Sequence, residues 1–217
     1  MWTRARAVAL GATALTLAAC GGNIHPGDAA VVDDRSISMA TFDKTARIYC
    51  ELTLLSAQEQ GVPSVPNAEV RRQAISDLVT VIVARDVAKL KGVTPGKQSY
   101  ELTASQLKEI GAAFPEGDDA ETVESAIENS QEIAAIAIAL GEQSTGTVRS
   151  AENETALVSE GQAAIQKAFK DHDVRYAPRF GLSGTMKVLG PTGSLSVAEV
   201  NLDAPTDDEL PTAQRCA

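Results

Sequence analysis

Eight consecutive residues, Ile133-Ala134-Ala135-Ile136-Ala137-Ile138-Ala139-Leu140, carry no polar side chain. They sit inside a longer stretch with helical spacing, from Ala120 to about Gln143. A helix that is apolar on every side has no face to offer water, so neighbours must enclose it or it must lie beside a groove. Either way it demands a bundle. Four other stretches can build one. After Ser38, a good N-cap, Phe42, Ala46, Tyr49 and Leu52 recur at helical spacing until Gly61-Val62-Pro63. Val70, Ala74, Leu78, Val81, Ile82 and Val87 mark a second helix from near Pro66 to about Lys91, with Gly92 placed to take a left-handed cap. Thr94-Pro95 reads as the opening of a weaker third helix through Tyr100, Leu107, Ile110 and Phe114, and Pro115 to Asp119 as a break. A fifth helix runs from Glu154 to His172, with Leu157, Gly161, Ile165 and Phe169 on one face.

Strand signals lie only toward the ends. Ala29 to Val32, the turn at Asp33-Asp34 and Ser36 to Ser38 read as a hairpin. Val174 to Tyr176 and Leu195 to Val197 read as extended. The expected fold class is mainly α (α+β), with about five helices and a small sheet of short strands from the N- and C-terminal ends.

The first residues set the expected compartment. Arg4 and Arg6 precede an uncharged apolar stretch from Val8 to Ala18, too short for an ordinary membrane span of about 20 residues. It ends in Leu17-Ala18-Ala19-Cys20-Gly21, which resembles a bacterial lipobox. That resemblance implies cleavage before Cys20 and a diacylglyceryl group on its sulfur, with acyl chains holding the protein at the extracytoplasmic face of the cell membrane. The other interpretation is an ordinary signal peptide with a cysteine at its boundary. The expected organisation is a signal peptide over 1–19, a flexible tether over 20–28, a domain over 29–202 and an acidic tail over 203–217.

Charge and chemistry narrow the function by exclusion. The 217 residues carry 19 Lys and Arg against 29 Asp and Glu, a formal charge of −10. Cleavage would remove Arg4 and Arg6 and no acid, leaving a still more acidic domain. Such a chain has no electrostatic footprint for nucleic acid. Cys50 and Cys216 would remain as an even pair in an oxidising compartment, which favours a disulfide. The alternative is two separate thiols, with Cys50 a small buried hydrophobe. No nucleotide, P-loop or zinc-protease signature occurs. Phe180-Gly181-Leu182-Ser183-Gly184 lacks the nucleophile-elbow spacing. His172 is better read as complementing a helix C-terminus than as a catalyst, and Asp118, Asp119, Glu121 and Glu124 as acids at a helix N-terminus. The expectation is no catalytic residue, no metal, no cofactor and no enzyme.

Three segments in order resemble one family. Ala29 to Ser38 followed by Thr41-Phe42, then Gly92-Val93-Thr94 after a long helix, then Val174-Arg175-Tyr176-Ala177-Pro178-Arg179-Phe180-Gly181 resemble the N-terminal chaperone domain of SurA-like proteins and related actinobacterial lipoproteins. Ala177 stands where that pattern usually has Asn. The resemblance implies a helical cradle for unfolded segments of exported proteins, with the first and last strands paired beside it. It carries no prolyl-isomerase activity here, because the chain after Asp173 is too short for a parvulin domain of roughly a hundred residues. Ile133, Ile136, Ile138 and Leu140 are then the candidate client-binding side chains. The alternatives are a structural or adaptor lipoprotein with one cell-envelope partner, and a small-ligand-binding lipoprotein.

Overall fold

The computed structural model describes residues 24–62, 64–115, 119–189, 211 and 214–216. Cys20 and the lipobox, the segment Leu195 to Val197, and most of the acidic tail lie outside them.

The chain enters as an antiparallel hairpin of β1 (Asp28–Val32) and β2 (Arg35–Ser38). Asp33 takes the left-handed conformation, φ 55°, that a tight hairpin turn requires. Ser38 caps α1 (Met39–Glu59) by accepting from the Thr41 N–H. A short strand β3 (Val65–Pro66) leads into α2 (Asn67–Lys91), closed by Gly92 at φ 66° with its N–H on the Ala88 and Lys89 carbonyls. There follow α3 (Ala104–Ala113), α4 (Asp119–Thr145), α5 (Glu154–Ala168), β4 (Val174–Tyr176) and β5 (Arg215–Cys216). The architecture is mainly α with a small antiparallel sheet, as the periodicity predicts.

In the sheet, β1 is central, between β2 and β4. Its pairing with β4 puts Ala30 opposite Tyr176 and Val32 opposite Val174. Ala29, Ala30, Val31 and Val32 are all buried. The sequence shows this directly: a strand covered on both faces has no alternation to display. Phe42, Ile75, Val79, Val83 and Ile136 pack beneath the sheet, and Phe42 meets Phe180 edge-to-face at 4.6 Å.

Several expectations are corrected. Thr94-Pro95 does not start a helix. A 3-10 turn, Lys97–Ser99, follows it, and α3 begins after Thr103, whose side chain and that of Gln106 form a reciprocal capping box. The fifth helix stops at Ala168, four residues short of His172. Past β4, Pro178 opens a 3-10 turn, Pro178–Phe180, that Gly181 closes at φ 59°. Arg215 and Cys216, at the end of the acidic tail, form a strand paired with β3.

Candidate functional site

Three helices enclose a surface groove, and an arginine ion pair bridges each pair of them. Arg47 of α1 pairs with Asp119 of α4. Arg71 of α2 lies 2.9 Å from Asp43 of α1. Arg85 of α2 reaches Glu132 of α4 at 2.5 Å and also donates to Asn129. Solvent-exposed pairs contribute only about 0–1 kcal/mol each. Their effect is geometric: each of the three helix pairs has one clasp.

Between them run three connected hollows of about 400, 580 and 410 Å³. The first lies between the N-terminal half of α1 and Glu121 to Asn129 of α4. The second continues past Leu52 and Ser56 against Ile127 and Gln131. The third passes over α2 to Ile133, Gln166, Phe169 and Met186. Asp77 lines all three. Its carboxylate accepts from the Tyr49 hydroxyl at 2.9 Å and from Gln73 Nε2 at 2.7 Å. Burial, then the charge on Asp77, holds the Tyr49 hydroxyl well above its ordinary range, so it stays a proton donor to Asp77.

The four apolar candidates on α4 divide. Ile136 and Leu140 are only 1% and 4% exposed and belong to the core, so they offer no surface to a client. Ile138 is half-buried. Ile133 alone of the four lines the groove. The apolar run is therefore mostly enclosed, by α5 above all: Ala137 of α4 lies against Gly161 of α5. Asp77 and Tyr49 were not singled out by sequence reasoning as site residues. The available signal is an acid at Asp77, seven residues after Val70 and three after Ala74, on the stripe that otherwise reads as the apolar face of α2.

Cys50 and Cys216 are joined as a disulfide, with Cα atoms 5.3 Å apart. They lie on the other side of α1 from the groove's centre, beside Asn67 and Arg71. No helix among the described residues is long and apolar enough to cross a membrane.

His172 does not sit on the end of α5. Its Nδ1 lies 2.7 Å from Asp33 Oδ2, and the Asp173 N–H donates to Asp33 Oδ1 at 2.9 Å. The hairpin turn is thereby stitched to the start of β4. Asp33, Asp86 and His172 offer ligand atoms within 4.8 Å of one another, but Arg35 already pairs with Asp86. The cluster is accounted for as an ion-pair network.

The His172 hydrogen bond, followed by the Asp173 N–H, lowers the Asp33 pKa below its ordinary value. A carboxylate depressed on folding stabilises the fold above its unfolded pKa of about 3.9, and that contribution is lost as pH falls through the lower folded value. Asp33→Asn is expected to be less stable than the parent near pH 6, with the gap closing as pH falls through the lowered folded-state value. Chemical denaturation at several pH values measures it, and a constant gap would contradict the assignment.

Comparison with protein-family models, curated proteins and solved structures found no match to this chain.

Proposed function

We propose that this protein is a lipid-anchored extracytoplasmic module of SurA-like type, which binds extended segments of unfolded exported proteins in the groove between α1, α2 and α4 without catalysis. The observation that supports this most is the groove's form. From Ala40 to Ser56 it follows about 24 Å of α1, at about 1.5 Å per residue. That matches about seven residues of extended chain at about 3.3 Å each. Its lining mixes Leu52, Ile127 and Ile133 with Ser, Thr and Gln side chains, which suits many sequences and an unpaired peptide backbone. Small molecules are usually held in enclosed sites that bury most of their surface, and these hollows are open along their length.

Docking an unfolded segment costs chain entropy, so affinity should be modest. The expected result is suppression of aggregation of a reduced or heat-unfolded client at near-stoichiometric amounts, together with micromolar binding (a Kd of about 1 μM is about 8 kcal/mol) of unstructured peptides. Neither effect across a varied peptide set would overturn the proposal and favour an adaptor with one defined partner. The anchor has its own test. Cys20→Ala should leave an uncut precursor, and normally processed membrane-bound protein after that change would rule out lipidation at Cys20.

A further inference from the structure

We infer that the groove selects extended segments carrying a cationic side chain, and that Asp77 is the residue that receives it; this rests on the groove being the client site. In the second and third hollows Asp77 is the one charged side chain among the described lining residues. The first hollow, which Asp77 also lines, adds Lys44 and Glu121. Asp77 is bonded by two neutral donors, the Tyr49 hydroxyl and the Gln73 amide. Neither compensates its charge, and it takes part in no ion pair among the described residues. Three acids that bridge these helices are each matched to an arginine: Asp43 to Arg71, Asp119 to Arg47 and Glu132 to Arg85. Asp77, which lines all three hollows, has no such arginine among the described residues.

Two neutral donors orient the carboxylate and leave its remaining lone pairs toward the hollow, since an ionised carboxylate can accept about four hydrogen bonds. A Lys or Arg head placed there would gain a charge-assisted hydrogen bond. Its methylene stem would run along Leu52, Ile127 and the Tyr49 ring, which line the same hollow. The occupant this describes is a segment of apolar residues interrupted by a single basic one.

The experiment uses the disulfide-intact chain and three blocked heptapeptides, alternating Leu and Val around a central Lys, norleucine or Glu. Binding is followed by titration calorimetry at low and high salt. The Lys peptide is expected to bind about tenfold more tightly than the norleucine peptide at low salt, and the Glu peptide more weakly than either. The preference should shrink at high salt. Asp77→Asn keeps the shape of the side chain and should abolish the preference for Lys over norleucine and its salt dependence. Equal binding of Lys and norleucine peptides to the parent chain would overturn the role of Asp77 and leave the groove reading standing. Binding of no peptide would overturn both.

Discussion

Gly161→Ala is expected to destabilise the protein by about 3 kcal/mol, the cost of overpacking a closed seam, although alanine is the better helix former by about 1 kcal/mol. The reason lies between α4 and α5. A Cβ built on Gly161 would stand 1.8 Å from the Ala137 carbonyl oxygen, and one on Gly141 would stand 2.2 Å from that of Leu157. These contacts are with backbone, so no side-chain rotation relieves them. The helices must separate, which opens the core around Ile136, Leu140 and Ile165. Gly111 on the exposed helix α3 is the control, because nothing lies within 4 Å of its Cβ position. Gly111→Ala should stabilise by about 1 kcal/mol. Denaturant unfolding of both variants gives the comparison, and the opposite signs carry the argument. A Gly161→Ala protein as stable as its parent would mean that α4 and α5 do not approach this closely.

That seam also explains what was legible in the sequence. The run from Ile133 to Leu140 announces a helix either enclosed or beside a groove, and it is both: Ala135 to Ala137 and Leu140 are buried, while Ile133 lines the groove. Its periodicity cannot say which neighbour covers it. The close approach is encoded by Gly161 and by the small Ala137, at positions that look like ordinary members of two apolar stripes. The hairpin, its Ser38 cap and the Gly92 cap were readable because each rests on local chemistry that one or two residues decide. The start of α3 was misread for a related reason. Thr94-Pro95 and Thr103-x-x-Gln106 are both acceptable openings, and only the second gains reciprocal side-chain bonds.

The site was harder to read than the fold. A groove is made by several helices at once, and none of its defining residues is unusual alone. Tyr49 reads as core on α1, and Asp77 as a stray acid on α2. Their hydrogen bond spans two helices, and only the tertiary arrangement brings it about. The same holds for His172, whose partner Asp33 is 139 residues away. Charge pairing across helices is invisible to a periodicity argument, so the arginine clasps that bridge the groove's helices could not be foreseen.

Breaking the Cys50–Cys216 bridge has the largest expected effect. The two cysteines are 166 residues apart, and the loop-entropy relation puts the constraint on the unfolded chain at about 5 kcal/mol for a loop of that size. Native stability of a domain is itself only about 5–15 kcal/mol. Cys50→Ser, Cys216→Ser and reduction of the parent should therefore converge on one weakly stable species. A local loss comes with it. β3 and β5 pair only at Val65–Cys216 and Pro66–Arg215, and so short a ladder has little to hold it without the covalent link. Once β5 leaves, the buried Cys216 side chain no longer covers α1 beside Asn67 and Arg71. The groove lies elsewhere, so peptide binding should survive at temperatures where the reduced chain remains folded. Denaturation with and without reductant reads the first effect, and calorimetry below the reduced protein's midpoint reads the second. Unchanged stability on reduction would mean the bridge does not constrain the chain. A parallel loss of peptide affinity in still-folded reduced protein would tie the groove to β5, which the position of the disulfide argues against.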